Sequence, residues 1–314
     1  MTHLTTRLGC LLVMLVVLAG QSGQTRAQEP SAQPFDLGET TIIQERFPED
    51  SRFHEMPVPL RGLIAVPEGE GPFPVAVFVH GAYQFCTAPL VNHVDPFPCP
   101  PESDLQQYRG FAYLAEALAA RGYLTIVPDL AYEYNNGFGE PTYGERTTQM
   151  LDQHLQRLVD GEGYPVDVAG KADLAQLVLM GHSNGGPQAM LFDEHRVAEG
   201  EESADAFVLL MPAAWWNPLP EGVPFALITA TCDGDLGTRD SEFWLEQLDL
   251  LRPAGVLLDT LEGFTHNALS TELRSDPFQH CAPEEIVDGE AQREWYTAFL
   301  PAYFDFALVT ARGE

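Results

Sequence analysis

The segment Gly181-His182-Ser183-Asn184-Gly185 follows an apolar run at 177–180 and precedes a helix-compatible stretch at 187–191. A serine with a glycine two positions away on either side, between a strand and a helix, suits a nucleophile carried on a sharp, strained turn. The glycines remove side chains that would clash there, and the helix that follows aims its positive end at the serine. The competing reading, an ordinary serine in a glycine-rich turn, leaves the strand before it and the helix after it unexplained.

A serine hydroxyl is a weak nucleophile near neutral pH and needs an adjacent base, which in turn needs a carboxylate to orient it. On such elbows the three follow in the order Ser, Asp or Glu, His. His195, His266 and His280 are the histidines downstream of Ser183. His195 falls too close to the elbow, on the helix just after it. His266 sits in Gly263-Phe264-Thr265-His266-Asn267, directly after the last apolar run, where a loop can swing an imidazole over Ser183; it is preferred to His280. For the acid, the run 226–230 ends in Thr231-Cys232-Asp233-Gly234-Asp235, and Asp233, first off the strand, is preferred to Asp235. The same Asp-Gly-Asp is not the start of an EF-hand, because Gly237 and Trp244 occupy positions five and twelve of that loop. No metal site is assigned, and a calcium site of another kind stays open.

Acyl transfer by such a triad also needs two backbone N–H groups to hold the oxyanion. Asn184, after the nucleophile, is the first; Ala82, in His80-Gly81-Ala82-Tyr83 at the end of the run 75–79, is the second. His80 reads as a packing residue. Tyr83, Trp215 and Trp216 fall near the mouth of such a site and are expected to contact substrate, although the tryptophans read equally well as packing.

These residues require a scaffold, and the chain supplies one in its alternation. Strand-like runs at 40–47, 60–66, 75–79, 123–127, 177–180, 206–210, 226–230 and 256–261 are interleaved with helical patterns at 111–118, 149–159, 241–251 and 290–309. The later runs are continuously apolar, as buried parallel strands are. The expectation is an α/β fold, a mainly parallel sheet with helices on both faces. Residues 211–223 are too few to hold a large cap between the sixth and seventh runs, so an open site that admits bulky substrates is expected. The longer insertion, 83–103, is proline-rich and bracketed by Cys86 and Cys99.

Residues 1–27 have the layout of a signal peptide: Arg7, an apolar stretch too short to span a bilayer comfortably, then polar residues ending at Ala27. A loose leader is expected over 28–37 and one catalytic domain over 38–314. The formal net charge is −30 and Lys171 is the single lysine, so nucleic acid and anionic membrane are poor partners. Residues 1–27 contain no acidic residue, and a mature chain would be more acidic still. Of the five cysteines, four remain after residue 27, an even number in an exported chain; the favoured pairs are Cys86 with Cys99 and Cys232 with Cys281. Zinc is disfavoured, since there is neither a Cys-x-x-Cys pair nor a histidine pair at helical spacing.

Residues 72–83, 108–129, 177–186, 226–236 and 263–269 together make the sequence resemble the α/β-hydrolase superfamily. Within it the chain looks like the branch that contains bacterial cutinase-like polyester hydrolases, chlorophyllases and platelet-activating-factor acetylhydrolases. The resemblance places Ser183, Asp233 and His266 on the triad and Ala82 and Asn184 on the oxyanion donors. It also matches a disulfide between Cys232 and Cys281 to one that ties the acid and histidine loops in some polyester hydrolases. Two features depart from that branch: Asn184 stands where methionine or glutamine is often found, and the insertion with Cys86 and Cys99 has no counterpart there. The implied activity is that of a secreted or periplasmic, monomeric serine hydrolase acting on small or polymeric carboxylic esters without a cofactor. An amidase or peptidase with the same triad, or a non-catalytic binding protein on this fold, are the alternatives.

Overall fold

The computed structural model describes residues 30–90, 96, 98–134, 144–214, 222–251 and 256–311. Eight strands form one sheet: β1 (Gln33–Ile43), β2 (Glu55–Ala65), β3 (Phe73–Val79), β4 (Leu124–Pro128), β5 (Ala172–His182), β6 (Ala206–Leu210), β7 (Phe225–Ala230) and β8 (Val256–Leu261). Their spatial order is β1-β2-β4-β3-β5-β6-β7-β8. The pairs β1/β2 and β2/β4 are antiparallel and all others parallel. The helices are α1 (Ala112–Ala119), α2 (Glu145–Asp160), α3 (Gly185–Ala198), α4 (Thr238–Leu251) and α5 (Gly289–Ala311).

The period-two alternation of strand side chains divides the core into two halves. Val75, Val77 and Val79 of β3, Leu177 and Leu179 of β5, and Phe207 and Leu209 of β6 join Met150, Leu151, Leu155 and Leu158 of α2, Phe192 of α3 and Trp244 of α4. Ala76 and Phe78, Val178 and Met180, and Val208 and Leu210 point the other way, against Leu114 and Leu118 of α1 and Tyr296, Leu300 and Phe304 of α5. Helices therefore cover both faces, which is why the central strands are apolar at every position.

The first strand begins earlier than the sequence pattern suggests. Residues 33–36, read as loose leader, pair with 61–64 of β2, while 44–47, read as strand, lie in the turn that leads into β2. Only Phe35 and Ile42 of β1 are buried, and the pairing shifts between Asp36 and Glu39, so this edge strand shows no sustained apolar alternation. At the other end of the sheet, residues 211–224 connect β6 to β7, with no room for a cap domain. The insertion after β3 is tied by the Cys86–Cys99 disulfide and by Thr87 N–H to Ser103 O (2.9 Å) and Leu105 N–H to Phe85 O (2.9 Å). No helix among the described residues is long and apolar enough to cross a membrane.

Candidate active site

The carboxyl ends of β5, β7 and β8 carry the three residues singled out from the sequence. Between β5 and α3 the chain reverses at Ser183, whose φ of 56° is left-handed, a conformation that costs an L residue roughly 1–2 kcal/mol. The cost is met by surrounding bonds: Ser183 N–H donates to Leu210 O (3.1 Å), and Ser183 O accepts from Gly186 N–H and Ala213 N–H (3.1 Å each). Glycine is required on both sides. A Cβ at Gly181 would lie 2.4 Å from Gly185 O, and one at Gly185 would lie 2.0 Å from Val79 O. Helix α3 begins at once after Ser183 and Asn184, so its positive end faces the hydroxyl.

The loop after β3 runs directly against the serine: a Cβ on Gly81 would come within 2.6 Å of Ser183 Cβ. Ala82, next in the chain, is exposed, and its N–H has no acceptor among the described residues. His80 serves as a clamp for this loop, with Nδ1 on Gly81 O (2.9 Å) and Nε2 accepting Leu130 N–H (2.8 Å). Burial lowers its pKa, which keeps it neutral, as the acceptor role of Nε2 requires.

His266 Nδ1 lies 2.9 Å from Asp233 Oδ2, and the imidazole is fully buried. Asp233 Oδ1 accepts three backbone N–H groups, from Asp235 (3.0 Å), Leu236 (2.8 Å) and Gly237 (3.4 Å). Burial pushes the Asp233 carboxyl up, but the hydrogen bond and charge of His266, together with these N–H groups, outweigh it, so its pKa falls below the usual carboxylate range. Asp235 takes a different place: its Oδ2 is 3.8 Å from Nε2, the opposite ring nitrogen. The other histidines point elsewhere. His280 Nε2 bonds to Thr231 O (3.1 Å), and His195 pairs with Asp152 (3.1 Å).

Nε2 of His266 carries no hydrogen bond. His182, which precedes Ser183 in the chain, packs on the His266 ring with centroids 4.5 Å apart. Catalytic hydrogen bonds often close only once substrate binds.

Three further contributors carry no recognisable motif. Asp276 joins the loops that carry Asp233 and His266, accepting from Gly234 N–H (2.9 Å), His266 N–H (2.8 Å) and Asn267 N–H (2.8 Å). Gln292 of α5 accepts Thr265 N–H (3.0 Å) and fixes the other side of the His266 loop. His182, the variable position of the serine motif, takes a hydrogen bond from the hydroxyl of Tyr83 on its Nδ1. Burial raises the pKa of Tyr83 and lowers that of His182, so the tyrosine stays protonated and donates to a neutral imidazole. Tyr83 was expected to contact substrate; its hydroxyl is instead turned inward and its ring is buried. Trp215 and Trp216 lie outside the described residues. The Cys232–Cys281 disulfide, with Cα atoms 5.6 Å apart, links the residue before Asp233 to the loop beyond His266.

The strand order, with a serine elbow after β5 and a carboxylate and histidine after β7 and β8, defines an α/β-hydrolase fold. Solved structures share it. One from a study of two esterases of Rhizomucor miehei superimposes with a TM-score of 0.53 at 12% identity, covering 91% of this chain and 86% of that one. A dienelactone hydrolase-like promiscuous phosphotriesterase from metagenomic libraries has a TM-score of 0.50 at 12% identity, covering 89% and 99%. An α/β-hydrolase enzyme from a Medee basin deep-sea metagenome library has 0.50 at 16% identity, covering 86% and 98%. At such identities the likeness is one of fold. No family model and no curated protein matches the sequence.

Proposed function

We propose that the protein is a serine hydrolase that cleaves carboxylic esters by a two-step acyl transfer. The observation that carries this reading is the buried Asp233–His266 hydrogen bond set beside the strained Ser183 elbow. Ser183 Oγ attacks the ester carbonyl as its proton passes to His266 Nε2, and Asp233 holds the imidazole in the tautomer with hydrogen on Nδ1. The N–H groups of Ala82 and Asn184 are assigned to the oxyanion. The imidazolium returns its proton to the departing alcohol, leaving an acyl group on Ser183. Water, deprotonated by His266, releases the acid and restores the serine. No cofactor enters this scheme.

The absence of room for a cap between β6 and β7 supports acceptance of bulky acyl or alcohol groups, up to the chains of a polyester. The two disulfides and the leader layout of residues 1–27 support export, and the protein is assigned as a monomer. The test is a panel of esters from acetyl to long acyl, with a solid polyester and matched amides, assayed on the parent and on Ser183→Ala. Ester turnover is expected to fall by about 10³- to 10⁶-fold in the variant. Near-parental turnover in Ser183→Ala refutes the mechanism, and faster cleavage of the amides than of their matched esters replaces it with an amidase.

A further inference from the structure

Asp235 occupies a position that the triad does not account for. Its carboxylate is 3.8 Å from His266 Nε2, the nitrogen that exchanges a proton with the attacking and leaving oxygens. That nitrogen is completely buried and has no hydrogen-bond partner, so Asp235 flanks the atom to which the reacting oxygens of a substrate would come. Asp235 itself is exposed over 39% of its side chain, and among the described residues no lysine or arginine pairs with it. A second feature lies on the segment bonded to this turn. Phe278 is 76% exposed, and its N–H bonds to the carbonyl of Gly234, next to Asp235, at 2.9 Å. A carboxylate beside the leaving-group side of a histidine, with an exposed aromatic residue on the adjoining segment, is chemistry that recognises an ammonium group.

We infer that Asp235, assisted by Phe278, selects esters whose alcohol part carries a positive charge, such as amino-alcohol or quaternary-ammonium esters, over neutral and anionic ones. This rests on the ester-hydrolase reading. The imidazolium at His266 delivers its proton to the alcohol oxygen, so a cation two or three bonds from that oxygen reaches Asp235. An anionic alcohol would meet the same carboxylate unpaired. The net charge of −30 adds a long-range attraction for cations, which raises encounter rates without depending on any one residue.

The experiment compares kcat/KM for three butyrate esters: butyrylcholine, its neutral carbon isostere 3,3-dimethylbutyl butyrate, and the ester of 3-hydroxypropanesulfonate. Each is assayed on the parent, Asp235→Asn and Phe278→Ala, at low and at high salt. In the parent at low salt the cationic ester is expected to exceed its isostere by about fivefold to tenfold, and the anionic ester to fall below the isostere by a similar factor. Asp235→Asn should bring both ratios to within about twofold, beyond what salt screening removes from the parent, and Phe278→Ala should cut the cationic preference by about twofold to threefold. Ratios unchanged in Asp235→Asn overturn the inference while leaving the hydrolase standing. So does an equal loss on all three esters, which would make Asp235 part of the triad. No Ser183-dependent turnover of any ester overturns both.

Discussion

His154 lies on the inner face of α2, fully buried, with its ring edge-on to Phe35 at 5.7 Å and neither ring nitrogen hydrogen-bonded. Burial alone lowers its pKa to about 3, against about 6.5 in an unfolded chain. The folded state therefore keeps His154 neutral where the unfolded state takes up a proton. Stability is fully present above the unfolded value and is lost as the pH falls toward the folded one. At about pH 4.5, roughly two units below the unfolded pKa, the loss is about 3 kcal/mol, and it approaches about 5 kcal/mol near pH 3. His154→Leu removes the titration and also two unsatisfied buried nitrogens, so it is expected to stabilise at neutral pH by about 1–3 kcal/mol. Urea unfolding of parent and variant at about pH 7.5 and about pH 4.5 measures both effects. The parent should lose about 3 kcal/mol more than the variant between the two conditions. His80 and His182, whose pKa values burial also lowers, remain in both proteins and cancel in the comparison. Equal losses in parent and variant refute the argument and place water or another partner on His154.

Asp233→Asn should fold but strand His266 in the wrong tautomer, lowering kcat on a neutral ester by about 10⁴-fold, with a KM close to the parent's. A loss under about tenfold would move the orienting role to another group. Asp276→Ala strips the acceptor from three backbone N–H groups of the acid and base loops, so thermal or chemical unfolding should show a cost of about 2–4 kcal/mol, accompanied by lower activity. Replacing Cys232 and Cys281 together by serine opens a link across a sequence separation of 49, for which chain entropy predicts a loss of about 4 kcal/mol. The same change at Cys86 and Cys99, separated by 13, should cost about 3 kcal/mol and leave ester turnover nearer the parent's. A larger activity loss from the second pair than from the first would contradict the view that the first holds the acid and base loops.

The interior of this fold is written plainly in the sequence, because strands buried on both faces must be apolar throughout. The run at 206–210 coincides with β6 and β7 begins one residue before its run at 226–230, while the run at 256–261 matches β8, an edge strand exposed along most of its length. The elbow is equally legible, since only glycine fits where a Cβ would meet backbone at 2.4 Å or less, and chain order then points to a carboxylate and a histidine after later strands. The edge was not legible: β1 buries little, and its polar residues between Gln33 and Glu39 resemble a leader until β2 is there to pair with them. Asp233 and Asp235 are two carboxylates at the end of one strand, and only their order off it favours Asp233 in the sequence. Their separation onto Nδ1 and toward Nε2 of the same imidazole follows from the turn in which Asp233 Oδ1 collects the N–H groups of residues 235–237. Asp276, Gln292 and the Tyr83–His182 pair left no trace in spacing, because they act on backbone and ring atoms of segments remote in the chain. Local pattern therefore determined the strands, the turn and the order of the candidate residues, whereas which atom meets which was decided when the sheet set the ends of β5, β7 and β8 along one edge.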